Sequence, residues 1–249
     1  MTAPVVTTTL DDGVLTLTLN RPAASNALSL DMAEAIYSAI TSVPCPRLAV
    51  IKGNGKNFCA GFDLSDVEAL SDADLLWRFL RIETMLQAVH HAPFPTIALA
   101  QGHIIGAGAD LFAACSYRIA APEAKLRFPG WNFELALGTR RLERLIGKDA
   151  ALDILLDGRI VLAQEAKAVR LATQIADQSE WPKTIETLAA RTAQMSAFST
   201  QQMRSIAATD TRAQDIASVV ATAGRPGLRA RILDYQRAVK EAREKRRQS

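Results

Sequence analysis

Apolar and polar residues alternate from Val14 to Leu19 behind an Asp11-Asp12-Gly13 turn, which predicts a hairpin with one buried face. The rhythm then lengthens. Ser29 is placed to cap a helix whose Met32, Ile36, Tyr37 and Ile40 share one side, and Pro44 and Pro46 break it. Residues 48–51 read as a short buried strand ending at Gly53-Asn54-Gly55. Leu76, Phe79, Leu80, Ile82, Leu86 and Val89 recur at three- and four-residue steps, a long helix stopped by Pro93 and Pro95. Residues 96–100, 117–121 and 125–128 read as further strands, and from Gly138 onward the periodicity is helical, over 139–146, 148–156, 164–171, 183–196, 200–208, 213–223 and 228–245. The layout is α/β: a strand-rich first half with helical crossovers, then an all-helical final third.

Two stretches interrupt this pattern with small residues. After the strand at 96–100, GHIIGAGADLFAA turns sharply through Gly106 to Ala109 into a helix. Free N–H groups at such a helix start can hold an anion, as half of an oxyanion hole. The same Gly-rich turn also serves elsewhere as a packing device. The second stretch, KNFCAGFDLSD over 56–66, repeats the design: a predicted strand, a small-residue turn at Ala60-Gly61, then an acid.

Composition sets the outer bounds. The 249 residues suffice for a large core, and 49% hydrophobic with 22% charged residues is the balance of a globular protein. No apolar run approaches the ~20 residues that cross a bilayer, and MTAPVVTTTL lacks the order of a signal peptide, so the expected location is the cytoplasm, away from membranes. Cys45, Cys59 and Cys115 are too few and too irregular for a disulfide framework or zinc site. His90 and His91 are adjacent and diverge on a helix, while His103 stands alone and reads as a core residue, so no metal is expected. The tail from Arg225 holds nine Lys/Arg and three Asp/Glu, an excess of +6 in a chain of net +3. Its apolar spacing through Leu228, Ile232, Tyr235 and Val239 favours a docked helix with a solvated basic face over a nucleic-acid arm.

LNRPAASNALS at 19–29, NFCAGFDL at 57–64, PTIALAQGHIIGAGADLFAACSYRIAA at 95–121 and GKDAALDILLDGRIVLAQEA at 147–166 occur in an order and spacing that resemble the crotonase superfamily, the enoyl-CoA hydratase/isomerase family. The resemblance implies a spiral of ββα units over residues 1–190 and a helical C-terminal oligomerisation region over 191–249, assembling as a homotrimer or hexamer. It implies a coenzyme A thioester substrate, with no cofactor beyond the coenzyme A that the substrate carries. The backbone N–H groups of Phe62 and Ala107 would form the oxyanion hole. Ala23, Ala24, Ser25, Ala60, Asp63, Leu64, Gly106, Pro129 and Gly130 would line the substrate and CoA channel. Arg21, Lys56 or the basic tail would meet the CoA phosphates.

Hydratases of that family use two glutamates. The first falls on Asp110, one methylene shorter, where an acid also suits a helix start for stability alone. The second falls on Gly130, which moves no proton; Glu134, four residues on in a shortened loop, either swings into the site or caps a helix on the surface. Trp131 and Phe133 either shape an acyl pocket or cover the core edge. Val169-Arg170 replaces a glycine usual in the family.

Three functions therefore compete. The first is an acyl-CoA enzyme with Asp110 as its single acid/base, as in the family's isomerases. The second is a CoA-thioester binder that lost the chemistry or reacts differently, by hydrolysis or decarboxylation. The third is a Clp-type serine peptidase built on Ser65 and His103, which lacks a nucleophile-elbow sequence.

Overall fold

The computed structural model describes residues 3–42 and 46–248, the side chains of 243 and 246–248 excepted, so Pro44 and Cys45 lie outside the described residues. Strands β1 (Val6–Asp11) and β2 (Val14–Leu19) form the expected antiparallel hairpin. Asp12 and Gly13 both take positive φ, the two-residue turn whose twist suits a hairpin. Leu15, Leu17 and Leu19 are buried while the threonines between them are half-exposed. After helix α1 (Leu30–Ser42), strand β3 (Leu48–Gly53) returns parallel to β2. Helix α2 (Asp72–His90) begins before the first residue of its apolar stripe, because Ser71 and Asp74 close a reciprocal capping box.

Strand β4 (Thr96–Ala100) and the short β5 (His103–Ile105) lead into helix α3 (Ala107–Ala114). Strands β6 (Tyr117–Ala120) and β7 (Lys125–Arg127) follow, then helices α4 (Thr139–Ile146) and α5 (Lys148–Asp157). The chain continues through β8 (Val161–Leu162), α6 (Ala163–Ala168) and β9 (Gln174–Ile175). Helices α7 (Trp181–Thr192), α8 (Ala197–Ala207), α9 (Arg212–Ala223) and α10 (Leu228–Gln248) complete it.

The strands form a six-stranded sheet, β1-β2-β3-β4-β6-β9, parallel beyond the hairpin, and a three-stranded sheet, β5-β7-β8. Strands β3 and β4 are buried on both faces, which is why they read as continuous apolar runs rather than alternating ones. Ala49, Ile51, Ala98 and Ala100 belong to the main core with α1, α2 and α3. Leu48, Val50, Ile97 and Leu99 face the opposite way, against Trp181 and Leu188 of α7. Among the described residues no helix is long and apolar enough to cross a membrane.

The segment 56–66 is not a strand. Its N–H groups go to scattered acceptors: Phe58 donates to Gln101 O, Cys59 to His103 O and Ala60 to Ser25 O. Among the described residues one bridge, Cys59 with Ile104, pairs it with the small sheet. That bridge brings the two small-residue turns side by side.

Candidate active site

Each turn is made by a glycine at positive φ, Gly61 at +94° and Gly106 at +52°. A Cβ on Gly61 would stand 2.7 Å from Ile105 O and 3.6 Å from the α-carbon of Gly106. The two backbones therefore touch where a side chain would separate them. The residues that follow, Phe62 and Ala107, have N–H groups with no acceptor among the described residues. For Ala107 this follows from its place as the first residue of α3, where helices leave donors unpaired. Two free donors, one past each abutting glycine, are a pair of the kind that can hold an oxygen that gains negative charge.

Asp110 lies one turn into α3 and is 4% exposed. It makes no cap: the helix start is held by Gly106, whose carbonyl accepts from Ala109 and Asp110 N–H. Its side chain faces Gly138, which precedes α4, and a Cβ there would fall 2.0 Å from Asp110 Oδ1. Oδ1 is buried and has no hydrogen-bond partner among the described residues. Burial pushes the Asp110 carboxyl well above the ordinary carboxylate range; Glu83 adds to the rise and Arg141 opposes it. A neutral carboxyl beside an oxyanion hole can deliver a proton without repelling the charge that forms there.

Behind Asp110 is a charged pair absent from the sequence reading. Arg141 of α4 donates to both oxygens of Glu83 on α2, at 2.8 and 2.5 Å, with both side chains almost fully buried. Gln87 also donates to Glu83 at 3.0 Å, and Asp215 of α9 lies 3.6 Å from Arg141. The available signal was Glu83 itself, a charge set among Phe79, Ile82 and Leu86 on the apolar stripe of α2.

The second acid position is closed. Pro129 caps a 3-10 turn over Gly130–Phe133, and Leu135 N–H folds back to Gly130 O at 3.0 Å. A Cβ on Gly130 would stand 2.9 Å from Leu135 O. Glu134, in left-handed backbone, turns its carboxylate to Arg225 Nη1 at 2.6 Å, with Arg231 at 3.6 Å. Among the described residues no hydrogen bond or ion pair joins it to Asp110. Trp131 donates its indole N–H to Thr139 Oγ1, beside Gly138, while Phe133 packs on Tyr235 of α10.

The loop at 21–27 is fixed to the first turn. Asn26 is fully buried and donates to Asn54 O and Asn57 O, while Asn57 donates to Ser25 Oγ. Pro22–Ala24 form a 3-10 turn, leaving Ala23 and Ala24 exposed next to Ser25 and Ala60. Asp63 is held by Arg21 at 2.7 Å. Burial raises its carboxyl, but bonds from Arg21 and Ser65 outweigh this and hold it below the usual range. Arg21 Nη1 donates to both Asp63 and Ala27 O; Lys56 is exposed. Leu64 accepts from Gln236 of α10.

The remaining candidates separate. His103 is exposed rather than a core residue, because β5 is a short strand at the edge of the small sheet. Ser65 is also exposed, its N–H bound to Asp63 Oδ1, and among the described residues no hydrogen bond pairs it with His103. Burial pushes the Cys59 thiol up to about 12, removing it as a nucleophile at neutral pH. No group of three or more His, Cys, Asp or Glu among the described residues is arranged to hold a metal.

This fold, with paired donors at the ends of two turns, is that of an enoyl-CoA hydratase/isomerase protein. The family's model matches residues 9–246, and the chain belongs to that family, the crotonase superfamily. A structure from Bordetella parapertussis assigned to the same class superimposes with a TM-score of 0.92 at 38% identity, over 94% of this chain and 99% of that one. A Thermobifida fusca enoyl-CoA hydratase homologue in complex with CoA gives a TM-score of 0.76 at 26% identity, over 94% and 95%. The enoyl-CoA isomerase/hydratase fer4 of Mycosarcoma maydis is 32% identical over 71% of this chain and 70% of its own length.

Proposed function

We propose that the protein is an acyl-CoA enzyme of the hydratase/isomerase type that stabilises a thioester enolate and transfers protons with one carboxyl group. The observation that carries this reading is the contact of Gly61 with Gly106, each followed by an unpartnered N–H. The thioester oxygen lies between Phe62 N and Ala107 N, donors worth about 3 kcal/mol each where such holes have been probed. The acid/base is Asp110. The CoA moiety runs past Ala23, Ala24, Ser25, Ala60 and Leu64, and the acyl group past Gly106, Pro129 and Gly130.

Two-glutamate hydration is disfavoured because position 130 has no side chain and no room for one. The closed position also supports the second reading, a CoA-thioester binder or a homologue that hydrolyses or decarboxylates. A homotrimer or hexamer is supported by apolar side chains left in solvent on α5 and α8, Leu156 and Ile206 at 82% and Phe198 at 71%.

Turnover of straight and branched enoyl-CoAs by wild type, Asp110→Asn and Glu134→Gln, followed by absorbance, tests the assignment. Wild-type turnover lost in Asp110→Asn and kept in Glu134→Gln is expected. Binding without turnover of any member of the panel favours the second reading. Loss in Glu134→Gln alone contradicts the role given to Asp110.

A further inference from the structure

Where α3 packs on α4, Asp110 and Arg141 each keep one buried polar atom without a partner. Asp110 Oδ1 and Arg141 Nε are both buried without a hydrogen-bond partner. An aspartate beside a buried arginine ordinarily pairs with it and ionises. Here both terminal nitrogens of Arg141 are taken by Glu83, in a two-pronged bond that fixes the plane of the guanidinium. Asp215 sits on the same arginine from α9, held in turn by Thr211 and Arg140. Glu83 thus offsets part of the arginine's charge, which still pulls the Asp110 carboxyl down more than Glu83 pushes it up.

We propose that Arg141 is a positioning residue for Asp110, and that Glu83, by occupying both terminal nitrogens of Arg141, keeps that arginine from pairing with the Asp110 carboxyl in the free protein. This rests on the reading of Asp110 as the acid/base and names what sets its charge. The surrounding groups agree. The elements on α3 offer Glu83 and His90 from α2 and Arg140 and Arg141 from α4, with Asp215 reached through Arg141; His103 of β5 is exposed. His90 is itself held neutral, its imidazole lowered to about 4 by burial and then by His91 and Arg141, so it supplies no second cation. Burial alone would raise Asp110, but burial alone gives no role to Glu83. Replacing Glu83 by glutamine keeps its size and its acceptor oxygen while freeing the arginine's charge.

The test is the titration of Asp110 itself, read by NMR of protein labelled with carboxyl-13C aspartate, the resonance assigned by its loss in Asp110→Asn. In Glu83→Gln the midpoint is expected to fall by about one pH unit or more, the scale of an uncompensated neighbouring cation. In Asp215→Asn, a milder change on the same arginine, it is expected to fall less, in the same direction. Should Glu83→Gln not fold, Asp215→Asn decides alone. An unchanged or raised midpoint in every folded variant overturns the proposal and leaves burial as the sole cause. The readout needs no substrate: a shifted midpoint in a protein that turns over no enoyl-CoA supports the proposal while the catalytic reading fails. Where turnover is measurable, the pH profile of kcat/KM moves with the NMR midpoint.

Discussion

Gly138 and Asp110 leave no space for a side chain between them: a Cβ on Gly138 would lie 2.0 Å from Asp110 Oδ1. Gly138 also holds φ at +68°, so an alanine there is strained in its backbone as well as in its contacts. In Gly138→Ala the carboxyl of Asp110 must move. The expected result is a loss of kcat by about 100-fold, the scale of an ångström's misplacement, with acyl-CoA affinity little changed because the donors of Phe62 and Ala107 are untouched. Steady-state kinetics together with calorimetric binding separate the two effects.

Restoring the missing glutamate should not restore two-acid hydration. In Gly130→Glu the new Cβ meets Leu135 O at 2.9 Å, so the 3-10 turn has to shift before the carboxylate can point anywhere. Hydration of crotonyl-CoA is expected to stay at the wild-type level or fall. A rise of tenfold or more would mean that the shortened loop accommodates a second acid.

The buried acid makes stability depend on pH in a definite direction. Burial first, then Glu83, raise Asp110 in the folded protein above its unfolded value, so between those two values the native state binds the extra proton. Its contribution is fully present below the unfolded value, about 3.9, and is lost as pH rises through the folded one. The unfolding free energy of wild type should fall relative to Asp110→Asn by at most about 1.4 kcal/mol per pH unit across that window, then level off. Parallel denaturation curves at a series of pH values check this, and equal pH slopes for the two proteins would contradict it.

Asp72 fastens the last helix to the body of the protein. Its carboxylate accepts from the N–H groups of Gly227, Leu228 and Arg229 at 2.7, 3.2 and 2.8 Å, serving as a borrowed cap for α10. The bond from Arg229 N–H leads the effects that hold the carboxyl below its ordinary range, so its contribution is present at neutral pH and fades only as pH falls through that lowered value. Asp72→Ala should cost about 1–2 kcal/mol, as lost caps do, and lower the melting temperature by a few degrees. An unchanged melting temperature would mean that Leu228 and Ile232, both fully buried, hold the helix unaided.

The paired turns were legible because glycines in abutting backbones have no substitute, and both motifs carry them at fixed offsets. The hairpin and α2 were legible for a similar reason, since periodicity records which face is buried. Segment 56–66 misled because it sits in irregular backbone, its N–H groups bonded one by one to Gln101, His103 and Ser25. Arg170 stands at φ +67°, a left-handed backbone position, where the resemblance implies a glycine. The Glu83–Arg141 pair was illegible because its partners lie 58 residues apart on two helices, and no local pattern pairs them.

The central claim concerns the thioester oxygen, and the carbonyl stretching frequency of bound acyl-CoA reports on it directly. Butyryl-CoA labelled with 13C at its carbonyl carbon, saturated and so inert to hydration, is bound to the protein at a concentration fixed by calorimetry. Infrared difference spectra against unlabelled ligand then isolate that one bond. If Phe62 and Ala107 both donate to the oxygen, the stretch moves to lower frequency than in free butyryl-CoA and does so equally in Asp110→Asn, because the donors are backbone groups. A bound ligand whose carbonyl stretches at its solution frequency would contradict the oxyanion hole, and with it the function proposed for this protein.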